Sequence, residues 1–192
     1  MTPKLEETRD GFRFRGGRLA LDLPATLAGR VSGNHRDALA APGDLDRWLV
    51  AAGLATRDLA DSAAGASAED LSAARELRET LYALAVARAE DRPLPDAARQ
   101  ALNAFAARPA AAPWLDASGQ ARLSGSARDL LASVAREAVL LLGGGERIRQ
   151  CEGSTCAILF VDASRKGDRR WCSMSACGNR AKVAAFRGRE KG

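Results

Sequence analysis

All four cysteines of the 192-residue chain fall in its last quarter, as Cys151, Cys156, Cys172 and Cys177. They form two C-x-x-x-x-C pairs with fifteen residues between the pairs. A short spacing lets one tight turn aim two sulfurs at a single point, and two such turns make a tetrahedral four-thiolate site of the kind that suits zinc. Gly153 lies inside the first turn, where a chain reversing in a knuckle needs a residue without a side chain. A catalytic zinc keeps one position open, and four thiolates leave none, so the expected ion is a single structural Zn2+ per chain. An iron–sulfur cluster and a reversible thiol switch use the same residues and stay as alternatives. Two disulfides fit the arithmetic but not the reducing compartment expected for this chain.

Little else in the sequence points to chemistry. His35 is the sole histidine, and no nucleophile–base arrangement can be built around it. Gly143, Gly144 and Gly145 follow a helical pattern rather than opening one, so they read as a stop and not as a phosphate-binding loop. No catalytic residue is assigned, and an enzyme is not expected.

The elements that must position the cysteines read as mainly helical, rich in alanine and poor in aromatics. Phe12 and Phe14, then Leu19, Leu21 and Leu23, alternate on either side of Gly16-Gly17, which predicts a β-hairpin closed by Pro24. Residues 25–43 are punctuated by Gly and Pro. A short helix follows, with Asp44 as N-cap and Gly53 as C-cap. The strongest helical pattern runs from Ala68 to Asp91, opened by Ser67 and Asp70 at capping-box spacing. Leu71, Ala74, Leu77, Leu81, Leu84, Ala85 and Arg88 make its stripe, and Pro93 and Pro95 end it. A helix from Pro95 to Ala107 carries Ala98, Leu102 and Phe105 on one face. Residues 108–125 read as a loop or short extended excursion around Trp114 and Leu115. A further helix starts at Ser126 and stops at the triple glycine, which is taken as the boundary between domains 1–145 and 146–192. Beyond it, a strand Ile158–Val161, a turn at 166–168 and a return strand Arg169–Trp171 lead to Ser173 as N-cap of the last helix. Trp171, Phe160 and Phe186 are expected to form the small core over the metal.

Charge is unevenly spread. From Arg147 onward there are eleven Lys/Arg against four Asp/Glu, a net of +7, while the first 146 residues carry −2. A basic tail is the footprint of a segment that meets a polyanion. No stretch resembles a signal peptide or membrane span, so a cytoplasmic protein without membrane contact is expected.

The segment Trp171–Phe186, WCSMSACGNRAKVAAF, resembles the CGNR zinc finger, whose name is spelled by Cys177, Gly178, Asn179 and Arg180. The likeness extends back to Cys151 and Cys156. In that family the finger follows an N-terminal module called ABATE, of stress-induced transcriptional regulators, and Gly16–Leu27 (GGRLALDLPATL) resembles the start of that module. Relatives carry Phe-Val-Asn where this chain has Leu23-Pro24-Ala25. The resemblance implies a mainly α fold: a helical body with a small hairpin, and a treble-clef-like finger of β-hairpin and helix. It also implies nucleic-acid binding and transcriptional control, with DNA as the expected partner. A homodimer and a small-molecule effector of the N-terminal domain are compatible with that role. Arg165, Lys166, Arg169 and Arg170 on the finger's hairpin are candidate phosphate contacts, as are Arg180, Lys182, Arg187 and Arg189 along the last helix. Asn179 and Arg180 are also of types that read base edges, although Asn179 could instead cap the zinc turn through the backbone. A protein-interaction or RNA-associated zinc module and a redox stress sensor are the alternative functions.

Overall fold

The computed structural model describes residues 7–56 and 65–189, the last two by backbone alone. Helices dominate, and the strands pair only two by two, in four antiparallel hairpins.

The centre of the fold is α3 (Ala68–Ala89), and its sequence explains both its ends. Ser67 Oγ accepts from the Asp70 amide at 3.1 Å, and the Asp70 carboxylate accepts from the Ser67 amide at 2.9 Å. At the other end Asp91 takes φ +51°, and the Arg92 amide reaches back to the Ala87 carbonyl at 2.8 Å before Pro93 forbids continuation. Between the caps the helix is buried on more than one side, Ala73 and Arg78 included. Arg88, placed in the apolar stripe by its spacing, is exposed instead.

Two further helices pack on α3. They are α4 (Asp96–Ala106), through Leu102 and Phe105, and α5 (Ala127–Gly143), through Leu130, Leu131, Val134, Ala138 and Leu141. Ser126 and Asp129 repeat the capping box at the start of α5. The segment between α4 and α5 is an exposed hairpin, β5 (Ala112–Leu115) with β6 (Ala121–Ser124). α2 (Pro42–Ala51) closes the core with Leu45, Trp48 and Leu49. Its helix begins at Pro42, so Asp44 occupies the third helical position rather than the cap. There its carboxylate accepts from the amides of Ala40 and Ala41 at 3.0 and 2.8 Å.

The expected hairpin around Gly16-Gly17 is not formed. The hairpin lies earlier, β1 (Thr8–Arg9) with β2 (Phe12–Arg13), turning at Asp10 and Gly11, both at positive φ. After the two glycines, Leu19–Asp22 winds into a single turn of helix, α1. The cause is non-local: Glu137 of α5 accepts from the Ala20 amide at 2.8 Å, and Asp22 accepts from the Gly16 amide at 2.7 Å. A Cβ on Gly16 would lie 2.6 Å from that of Leu21, so the chain can fold back only as glycine. Beyond α1, the unassigned loop pairs β3 (Leu27–Ala28) with β4 (Arg36–Asp37).

Asp22 is almost fully buried, and burial pushes its carboxyl up to about 7 against the bonds donated by the Gly16 and Arg15 amides. The folded protein therefore keeps a proton that the unfolded chain releases above its ordinary value of 3.8. This contribution to stability is complete below that value and is lost as pH rises through about 7. We expect Asp22→Asn to flatten the decline in stability between pH 5 and 7 by up to about 1.4 kcal/mol per pH unit. Urea midpoints of zinc-loaded protein at the two pH values measure this; identical slopes in wild type and variant would sink it.

The chain beyond α5 is continuous with the body. β7 (Ile148–Gln150) pairs with β8 (Leu159–Val161), and Ile148 and Leu159 belong to the same core cluster as α3 and α5. The Val161 amide donates to the Gly16 carbonyl at 2.9 Å. Among the described residues no helix is long and apolar enough to cross a membrane.

Candidate metal centre

Strand β8 takes its partner from upstream, not from Arg169–Trp171 as the sequence suggested. The β7–β8 ladder is extended by the Cys151 amide, which donates to the Ile158 carbonyl at 2.9 Å, so Cys151 and Cys156 sit in the turn of this hairpin. The knuckle closes with the Cys156 amide on the Gly153 carbonyl at 2.8 Å. A Cβ at Gly153 would meet Cys156 Cβ at 3.0 Å and Cys177 Sγ at 3.4 Å, which is why glycine stands there.

The return segment is fixed by a buried carboxylate. Asp162 accepts from the amides of Ser164 at 3.0 Å and Arg169 at 3.1 Å, with the Arg149 guanidinium at 3.3 Å. Burial pushes the Asp162 carboxyl up, but these bonds outweigh it and hold the group below its ordinary value. The loop so shaped delivers residues 169–171 alongside the knuckle, where the Glu152 amide donates to the Arg170 carbonyl at 3.0 Å. A single such bond takes the place of the expected return strand.

Cys177 is placed by a wide turn. Ser173 caps it as expected, its Oγ accepting from the Ala176 amide at 3.3 Å, and the Gly178 amide spans five residues back to the Ser173 carbonyl at 3.0 Å. The chain then enters α6 (Asn179–Arg189). A Cβ on Gly178 would press on Met174 Sδ at 3.0 Å and Trp171 Cδ1 at 3.2 Å, so a larger residue there would have to displace the Met174 side chain.

The four sulfurs converge within 4.8 Å of one another, and all four residues are buried. Cys172 Sγ lies 3.8 Å from that of Cys156 and 3.7 Å from that of Cys177. Zinc–sulfur bonds of about 2.3 Å in a tetrahedron put neighbouring sulfurs about 3.8 Å apart, whereas a disulfide requires about 2.05 Å. The observed spacing is that of ligands. Crowding also sets their acidity: hydrogen bonds from neighbouring thiols hold Cys151 as a thiolate far below the ordinary thiol value, while Cys156 is pushed up to about 11. Such a set of soft donors is brought to full ionisation by a divalent cation. Two donors already face the cluster's negative charge: the Cys172 amide on Cys151 Sγ at 3.4 Å and Arg180 Nη2 on Cys177 Sγ at 3.0 Å.

Two matches to known families coincide with this architecture. The model described as "ABATE: Putative stress-induced transcription regulator" matches residues 17–145, and that of the CGNR zinc finger matches residues 147–190. The chain belongs to the ABATE family. Its cysteine cluster is the structural zinc site of a CGNR finger, one ion per chain, held by Cys151, Cys156, Cys172 and Cys177. Neither family is described as enzymatic. A search of curated proteins found no match.

The basic residues of this ABATE protein do not all face outward. Arg165 and Lys166 are exposed on the loop held by Asp162. Arg170 is exposed but paired with Glu152 at 2.6 Å, its guanidinium 4.9 Å over the Trp171 ring. Arg169 is turned inward: it donates to the carbonyls of Trp171, at 2.8 Å from Nε, and of Cys172, and stacks 4.6 Å over Phe160. It supports the metal turn rather than offering a free cation. Asn179, Lys182 and Arg187 are exposed on α6, and the Asn179 side chain makes no hydrogen bond among the described residues. The side chain of Arg189 lies outside the described residues. The finger's core is Ile158, Phe160 and Trp171 with the cysteines, while Phe186 is 56% exposed and takes no part. His35 is exposed on the β3–β4 loop, remote in role from the metal.

Proposed function

We propose that this ABATE protein is a cytoplasmic DNA-binding transcription regulator in which 146–192 is the reading module and 1–145 the regulatory body. The supporting observation is the outward face of α6. Helical spacing gathers Asn179, Lys182, Val183 and Phe186 on one side, with Val183 42% and Phe186 56% exposed. Arg180 and Arg187, seven residues apart, flank that face. Amide, ammonium and apolar side chains in one stripe suit base edges and thymine methyls, while arginines and the Arg165–Lys166 loop suit phosphates. The buried zinc cluster fixes α6 against the finger, so the face is presented rigidly.

The test is selection from random duplexes followed by anisotropy titration over a range of salt. Contacts from Arg165, Lys166, Arg170 and Arg187 imply a slope of log K on log salt of about −3.6. Arg170→Gln should reduce that slope by about 1 without altering the selected sequence, whereas Lys182→Ala should relax the sequence preference. No preferred sequence, with binding abolished by modest salt, would refute the reading. The exposed Met174, Val183 and Phe186 would then favour the second one, a protein-partner surface. Oxidation sensing has less support, since all four thiols are buried.

A further inference from the structure

A cleft of about 390 Å³ opens where the β1–β2 hairpin and the β3–β4 loop meet the zinc knuckle. Among the described residues four arginines line it, Arg13, Arg15, Arg36 and Arg180, and no carboxylate does. Arg13 and Arg36 have no ion-pair or hydrogen-bond partner for their guanidinium groups among the described residues. Arg15 has Glu7 at 3.4 Å, yet its Nε is buried without a hydrogen bond. By contrast, the guanidinium ends of Arg30 and Arg78 each grip carboxylates at 2.6–3.0 Å, although Arg30 Nε, like Arg15 Nε, is buried without a hydrogen bond. Arg180 is shared with Cys177 Sγ at 3.0 Å, which leaves Arg13 and Arg36 as the cations without counter-charge; their mutual repulsion costs the fold energy, and an anion removes that cost.

The remaining walls define the rest of the ligand. Ser32, Asn34 and Thr155 supply hydroxyl and amide groups, and among the described residues no aromatic lines this cleft to stack on a base. The loop that carries Ser32, Asn34 and Arg36 is held in shape at Gly29. With φ +82°, any Cβ there would fall 1.8 Å from the Asn34 carbonyl oxygen. A separate, smaller cavity of about 150 Å³ shares Arg13 and Arg36 as walls and is lined also by Phe12 and by Asp37, whose carboxylate is taken by Arg78.

We propose that this cleft binds a small phosphorylated, hydroxyl-rich molecule, a sugar phosphate by chemical class, with its phosphate on Arg13, Arg36 and Arg180. Guanidinium forks suit phosphate oxygens, and the volume suits one phosphorylated monosaccharide. Because Thr155, Cys156 and Arg180 belong to the finger while the other arginines belong to the body, the ligand bridges the two. This site stands whether or not α6 reads DNA.

Calorimetry on the zinc-loaded full chain, with inorganic phosphate, ribose 5-phosphate, glucose 6-phosphate and unphosphorylated ribose, tests it. At least one sugar phosphate should bind tenfold or more tightly than inorganic phosphate, and ribose not at all. Arg13→Gln and Arg36→Gln should each weaken that binding at least tenfold while zinc content holds and the urea midpoint does not fall, since neither guanidinium has a hydrogen-bond or ion-pair partner to lose among the described residues. Lys166→Gln, outside the cleft, should leave it unchanged. If no sugar phosphate outbinds inorganic phosphate, or if the cleft variants bind as wild type, the proposal fails. Weakened duplex DNA binding in the cleft variants, with no sugar-phosphate binding, would assign the arginines to a nucleic-acid surface and likewise overturn it.

Discussion

Cys172→Ser protein, dialysed against a mild chelator that leaves the wild type with one zinc per chain, should emerge without metal. Cys172 is the worst ligand to lose. Its sulfur has two others within 3.8 Å, and its own amide donates to Cys151 Sγ. A serine hydroxyl is a hard, protonated donor and does not replace a thiolate on zinc. The structural consequence should be local. Around the metal the finger's own cluster is Ile158, Phe160 and the cysteines, with Trp171 beside them, too little to hold that part of the fold without the metal. Structural zinc binding supplies about 10–16 kcal/mol in small fingers. Hydrogen exchange should therefore lose protection from about Asp162 onward, while α3 and α5 keep theirs. Full zinc in the variant, or none in freshly reduced wild type, would refute the site.

A second large effect is expected far from the metal. Arg78, 4% exposed on α3, binds Asp37 through Nη1 at 2.6 Å and Nη2 at 3.0 Å, and Glu79 through Nε at 2.9 Å. Glu79 in turn holds Arg30, whose guanidinium lies 4.0 Å over the Tyr82 ring. This chain of alternating charges ties the 24–40 loop to the central helix. Arg78→Met keeps the bulk but strands Asp37, leaving it with the Leu39 amide at 2.9 Å and Arg75 at 3.5 Å. We expect a loss of about 3 kcal/mol in urea unfolding, because removing one partner leaves a poorly compensated charge. Adding Asp37→Leu should restore part of it, since a matched apolar pair has no charge to desolvate. A loss below about 1 kcal/mol in the single variant would mean that the pair is dispensable.

What could be read in advance follows how local its causes are. The caps Ser67–Asp70 and Ser126–Asp129 work within one turn and were legible as spacing. So were the four cysteines, because thiolates at knuckle spacing have few other uses. Leu19, Leu21 and Leu23 alternate like a strand, yet the segment winds, since Glu137, 117 residues on, accepts from its exposed amide. Strand β7 was missed because it follows three glycines and shows one apolar residue, Ile148, its pairing set by the metal turn it feeds. Nor does composition reveal which arginines turn inward: Arg78 and Arg169 look no different from their solvated neighbours until their acceptors are known.

The continuous core has a consequence for how the chain is made. Ile148 and Leu159 fill the same interior as Leu77 and Leu131, yet they are synthesised long after them. Until residues 148–161 are free to fold, the packed helices face a gap that the β7–β8 hairpin closes. The nascent body must wait with that surface uncovered, a moment when chaperones or neighbouring chains can engage it. Once Val161 emerges, the gap closes and the first two thiols are aligned in the same event. Completion of the body thus sets the first two thiols in place to receive the last ligands, Cys172 and Cys177.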